Sequence, residues 1–155
     1  MEENLKLSSR VRYAARAVYY LTMEYGHGAI ALHKISDDQN ISIKYLENIM
    51  RLLTTAGLVR SEKGKNGGFA LARPPAEITL NDVMEATEGR FAPAMCIKSP
   101  ESCDKFDACG VSEAWHSLGK IVTDHLKSVN FQDMMDRQKK RREEGTTEKE
   151  DWNYY

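Results

Sequence analysis

The sequence predicts a mainly α-helical chain carrying one small β-hairpin, and three observations lead there. Apolar residues recur at helical spacing in its first, middle and last thirds. The period switches to an extended one on either side of a glycine-rich tip, KGKNGG, at residues 63–68. A long amphipathic run then follows a polar loop that holds every cysteine of the chain. The length, 155 residues, suits one ordinary domain or a small domain with a dimerisation arm.

The first helix spans residues 9–25, SRVRYAARAVYYLTMEY, after a serine cap at Ser8 or Ser9. Val11, Ala14, Ala15, Val18, Leu21 and Tyr25 form its apolar stripe, and Gly26 and Gly28 end it. A short helix covers residues 32–39, LHKISDDQ, and Asn40 allows a turn. The next helix is capped by Ser42 and runs to about Ala56, with Leu46, Ile49, Met50 and Leu53 buried and Gly57 as its stop. Residues 58–61 and 68–72 are extended, and Asn66-Gly67 suits the positive φ angles of a tight hairpin turn. Pro74-Pro75 closes the hairpin, and Thr79-Leu80-Asn81-Asp82 opens a helix that runs through Thr87 to Gly89.

The long run VSEAWHSLGKIVTDHLKS, residues 111–128, aligns Val111, Ala114, Trp115, Leu118, Ile121, Val122, His125, Leu126 and Val129 on one face. Such a stripe is buried most cheaply against a symmetry mate, so a homodimer is expected; folding back on its own domain is the alternative. Asn130–Met135 reads as a short closing helix. From Arg137 the chain has a basic run, RQKKRR, then acidic and polar residues without apolar period, which reads as disordered. The expected division is therefore a head at 5–90, a cysteine loop at 91–110, a dimerisation helix and closing helix at 111–136, and a disordered tail at 137–155.

No apolar run approaches the roughly 20 residues that cross a bilayer. The Met-Glu-Glu-Asn start lacks the basic and apolar regions of a signal peptide, so a cytoplasmic location without membrane contact is expected. Net charge is −1, but its distribution is uneven. Residues 1–75 hold eleven Lys/Arg against seven Asp/Glu, and residues 76–155 hold eleven against sixteen. The front half is the part suited to an anionic partner.

A short helix, a turn, a capped second helix and a hairpin make the order of a winged helix-turn-helix. Lys44, Glu47, Asn48 and Arg51 occupy the polar face of the second helix, opposite Leu46, Met50 and Leu53, with the Tyr45 hydroxyl on the flank. Glutamate can accept from a cytosine amino group, asparagine can pair with adenine, and lysine or arginine can meet guanine or phosphate. Any surface helix has a polar face, however, and the hairpin tips the balance. Lys63, Gly64, Lys65, Asn66 and Gly67, with Gly68, form a thin cationic loop suited to phosphates or a minor groove. Arg10, Arg12 and Arg16 on the first helix add charge. Double-stranded DNA is the expected partner, read as a palindromic operator by a dimer; no catalytic residue or enzymatic activity is expected.

Cys96, Cys103 and Cys109 fall within CIKSPESCDKFDAC, a polar stretch with a Ser99-Pro100 turn, where a packing role does not account for them. Reduced thiols in the cytosol and an odd count argue against disulfides. The spacing, six and five residues, lacks both the close pair of zinc sites and the C-x-x-C of dithiol redox centres. Iron–sulfur clusters accept wider spacings. Redox-sensing thiols or incidental cysteines remain open on spacing alone. A small cluster- or zinc-binding carrier without DNA function would explain the cysteines but not the hairpin.

Several consecutive motifs resemble one family. LKLSSRVRYAARAV, ISIKYLENIMRLLTTAGLVRSEKGKNGGFALARP, EITLNDVMEATEG and the three-cysteine loop followed by Trp115 are similar, in that order, to IscR/NsrR-type winged-helix regulators across residues 5–135. The resemblance implies a bacterial homodimeric transcription factor with an iron–sulfur cluster on Cys96, Cys103 and Cys109, sensing iron, cluster supply, nitric oxide or redox state. It also implies that Glu47 reads bases and that Lys63 and Lys65 touch DNA from the wing tip. Three positions where members carry a fourth cluster ligand hold Ser112, Arg12 and Gln39 here, so no fourth ligand is identified. His116 is expected beside the dimer interface. Three cysteines with one labile ligand is a usual pattern for a 4Fe-4S cluster, which is favoured over 2Fe-2S.

Overall fold

The computed structural model describes residues 7–145, and it is a winged helix-turn-helix head from which one long helix leaves and to which the chain returns. Helix α1 (Ser9–Met23) begins where the Ser8 hydroxyl accepts from the Val11 N–H at 3.3 Å. Helices α2 (Leu32–Gln39) and α3 (Ile43–Thr55) follow. Between them Asn40 takes the left-handed conformation, φ 51°. Ser36 fastens this turn: its carbonyl accepts from the Ile41 N–H at 3.1 Å, and its buried hydroxyl donates to the Ile41 carbonyl at 2.6 Å. The expected side-chain cap from Ser42 does not form, although Ser42 is the N-cap residue.

Strands β1 (Val59–Glu62) and β2 (Gly68–Leu71) pair antiparallel, with Val59 opposite Leu71 and Glu62 opposite Gly68. The tip is built differently from the Asn66-Gly67 turn expected. Neither residue has positive φ; Gly64 does, at 112°, and the Gly67 N–H donates to the Gly64 carbonyl at 2.9 Å. Five residues thus form the loop, and only one demands glycine by its φ. A feature absent from the sequence reading braces the wing at the second rung from its tip. Ile30 forms an antiparallel bridge with Phe69, adding a one-residue third strand.

Helix α4 (Leu80–Glu88) starts at a capping box, in which Thr79 and Asp82 each satisfy the other's backbone N–H. The core is shared by α1 (Ala14, Ala17, Val18, Leu21), α2 (Ile35), α3 (Leu46, Ile49, Met50, Leu53), the wing (Leu58, Val59, Leu71) and α4 (Val83). Ala15 is only half-buried and Tyr25 is exposed, whereas Ala17 and Thr22 are buried, so the α1 stripe is shifted and shorter than expected.

Residues 91–110 fold as a one-turn helix α5 (Met95–Lys98) and single 3₁₀ turns at Pro100–Ser102 and Phe106–Ala108. Helix α6 (Ser112–Ser128) then runs out, with its only buried residue, Gly119, against the Pro93 ring; a Cβ there would meet Pro93 Cδ at 3.1 Å. The chain comes back at once. Leu80 N–H donates to the Val129 carbonyl and Phe131 N–H to the Ile78 carbonyl, both at 3.0 Å, and Phe131 is fully buried in the head core.

Helix α7 (Phe131–Glu143) corrects the expectation of disorder from Arg137. Its N-cap, Asn130, accepts from the Asp133 N–H at 2.8 Å, and Phe131 and Met134 anchor the first turn on the head. Gln, Lys, Arg and Glu propagate helix well, and cations at its last turn suit the helix dipole. The lack of an apolar period beyond Met135 therefore does not end it. The rest of the expected tail, residues 146–155, lies outside the described residues.

Candidate nucleic-acid interface and thiol loop

Burial of Leu46, Ile49, Met50 and Leu53 turns Lys44, Glu47, Asn48 and Arg51 to solvent, since residues three and four apart share one face of a helix. Between this face and the wing lies an open groove of about 340 Å³ lined by Glu47, Arg51, Thr54, Thr55, Ser61 and Phe69. Helix and hairpin thus meet along one concave surface, with a carboxylate, a guanidinium and three hydroxyls in it. Thr54, Thr55 and Ser61 were absent from the sequence reading; the polar end of α3 and its place beside β1 could have pointed to them. Lys63, Gly64, Lys65 and Asn66 are exposed at the wing tip, with Gly67 half-buried behind them. Arg60, also on β1, is held back by Glu62 at 3.1 Å and by the Leu71 carbonyl.

Behind α3 a chain of contacts fixes its position. Tyr45 is half-buried and packs edge-on to Tyr13, ring centroids 5.9 Å apart at 85°. Arg16 lies over the Tyr13 ring at 5.7 Å and donates to the Gln39 carbonyl at 2.6 Å and its Oε1 at 3.0 Å. Arg16 therefore ties α1 to the end of α2. Gln39 is engaged in that tie. Arg10 and Arg12 are not among the groove's lining: Arg10 reaches toward the Thr87 carbonyl at the end of α4, 3.5 Å away, and Arg12 donates to Ser9 on its own helix at 3.2 Å.

Each short turn of residues 95–109 presents one half-buried cysteine: Cys96 within α5, Cys103 after the second turn, Cys109 after the third. All three are free thiols, the right donors for iron or zinc. As folded here they do not converge; among the described residues no three Cys, His, Asp or Glu side chains gather into a metal-holding group. Ser112 hydroxyl donates to the Cys109 carbonyl at 2.7 Å and caps the last turn. All four histidines are exposed. At the N-cap of α6 and along the helix, Val111, Trp115 and Ile121 are 53%, 42% and 63% exposed, while Leu118, Val122 and Leu126 of the same stripe are half-buried. No helix among the described residues is long and apolar enough to cross a membrane.

The Rrf2 family profile, described as that of an iron-dependent transcriptional regulator, matches residues 7–137. An HTH-type transcriptional regulator of Neisseria meningitidis is 36% identical over 132 residues, spanning 85% of this chain and 88% of the relative. IscR of Photorhabdus laumondii, also an HTH-type transcriptional regulator, is 30% identical over 134 residues, spanning 86% and 81%. Among solved structures, CymR, the global cysteine regulator of B. subtilis, superposes with TM-score 0.71 at 28% identity over 86% of this chain and 98% of that one. IscR of T. potens does so with TM-score 0.68 at 29% identity, over 87% and 89%.

Proposed function

Because the chain belongs to the Rrf2 family of winged helix-turn-helix transcriptional regulators, we propose that it acts as a cytoplasmic homodimer on a palindromic DNA operator and that the 91–110 loop tunes its affinity by holding an iron–sulfur cluster. The observation that carries the DNA reading is the shared groove of α3 and the wing. In it Glu47 and Arg51 can address base edges in the major groove while Lys63 and Lys65 reach phosphates from the wing tip. The open stripe of Val111, Trp115 and Ile121 supports an α6-to-α6 dimer, which would set the spacing of the two reading heads.

The thiol loop fits the donor chemistry of a cluster and not its geometry as folded, so Cys96, Cys103 and Cys109 must be drawn together on assembly. That is usual where ligand gathering is coupled to folding. A bound cluster would supply a centre sensitive to iron supply, oxidants or nitric oxide. The chain's own contribution is mechanical: the loop joins α4, packed in the head, to α6. Gathering its three turns changes how α6 leaves the head and hence how two heads face DNA. The family relatives are named as transcriptional regulators, which favours this over a cluster carrier without DNA function.

Selection of binding sites from random duplexes tests the DNA reading. Enrichment of a two-fold symmetric site is expected; no enrichment over the starting pool would contradict it.

A further inference from the structure

A further groove lies away from both sites, between α1 and α7. It measures about 630 Å³, and Tyr19, Met134, Arg137, Gln138, Arg141 and Arg142 line it. These α7 residues recur at helical spacing, so they form one face of α7 turned toward α1. The position is fixed at two points, the start and the middle of α7. Phe131 anchors α7 in the core, and the Tyr19 hydroxyl donates to Gln138 Oε1 across the helix contact.

Three guanidiniums on that face have no acidic partner among the described residues, whereas Lys140 on the same helix pairs with Glu144. Favourable interaction with the helix dipole calls only for positive charge near the C-terminus, and Lys140 in the last turn already provides one cation there. It does not call for three arginines beside a phenol and an amide. Arg137 and Arg141 stand one turn apart, about 6 Å along the axis, and like charges at that spacing weaken a helix. Planar guanidinium forks match phosphate oxygens two at a time. Burial raises the Tyr19 phenol pKa more than nearby Arg142 lowers it, so the hydroxyl stays a donor at neutral pH.

We propose that the α1–α7 groove is a binding site for a ligand bearing two linked phosphate groups, with Arg137 and Arg141 each gripping one and Arg142 and Tyr19 completing the set. The volume lies in the range of small-molecule sites, so the diphosphate could be free or belong to a nucleotide, with Met134 as the apolar floor for the remainder.

Isothermal titration of the full chain with inorganic diphosphate and, separately, with ADP tests this at constant ionic strength, with the R137Q/R141Q double variant beside it. Glutamine retains helix propensity, and circular dichroism confirms that the variant is folded. Saturable binding of either probe is expected, with affinity at least tenfold weaker in the variant. Tighter binding of ADP than of diphosphate would assign the nucleotide as the source, and the reverse the free anion. Absence of saturation with both probes, or equal binding by the variant, would overturn the proposal. So would a variant that loses operator affinity while neither probe binds the parent, because α7 would then serve nucleic-acid phosphates.

Discussion

Ile30 and Phe69 exchange both backbone hydrogen bonds at 2.8 Å, N–H of each to carbonyl of the other. This bridge fastens β2, at the second rung from the wing tip, to the segment between α1 and α2. It also explains Gly68: a Cβ there would drive into the Ile30 carbonyl, closer than any real contact permits. Gly68→Ala should therefore destabilise the protein by about 1–3 kcal/mol through overpacking against backbone. Thermal unfolding measures the loss, and faster amide exchange at Ile30 and Phe69 would locate it. An unchanged midpoint would mean that the bridge does not constrain the wing.

Phe131 makes the return from α6 part of the head. Its side chain is fully buried in the head core, so Phe131→Ala should cost about 3–5 kcal/mol. Urea unfolding should show one cooperative transition at lower midpoint. A loss under 1 kcal/mol would place α7 outside the folding unit.

These two relationships mark the limit of what the sequence made legible. The helices α1 to α4 carry their own signals: apolar period, Ser8 and Thr79 caps, and Asn40 in a turn. The glycine-rich wing announces itself by the change of period. Ile30 sits alone in a short connector, and a bridge of one residue has no periodicity to detect. Phe131 follows a helix and precedes a highly charged one, so its burial depends on chain return, which local pattern does not encode. The tip turn was misassigned because Asn66-Gly67 matches a two-residue hairpin, whereas five residues are available and Gly64 takes the strained φ. For the site, side-chain types and faces were legible. The meeting of α3 with β1, which adds Thr54, Thr55 and Ser61, required the tertiary structure.

The groove predicts a division of labour at DNA. Replacing Lys63 and Lys65 by alanine should weaken binding to all sequences and flatten the salt dependence by about one unit of log–log slope per lost phosphate contact. Glu47→Ala should instead relax base preference while leaving the slope unchanged. Affinities measured across a salt series and a base-substitution panel separate the two. An unchanged slope removes the wing from the interface, and an unchanged preference removes Glu47 from the reading set.

The open face of α6 predicts the assembly. Leu118 and Leu126 lie eight residues apart on the stripe, both half-buried in the single chain. Changing both to aspartate sets like charges against each other across an α6 pair and removes apolar burial worth about 1.5–3 kcal/mol per side chain. Sedimentation should show a folded monomer. A double variant that stays dimeric would place the interface elsewhere.

The measurement that bears most directly on the central claim is operator affinity with and without iron and sulfide, made anaerobically on the parent chain and on Cys96→Ser, Cys103→Ser and Cys109→Ser. The parent should gain iron, sulfide and visible absorption on reconstitution, and its affinity should change about 5- to 150-fold, a coupling of roughly 1–3 kcal/mol. Each serine variant should stay near the metal-free affinity and bind little iron, with its helical content intact. Full iron and sulfide in the serine variants, or one affinity for the parent in both states, would contradict the assignment of residues 91–110 as the loop that controls DNA binding.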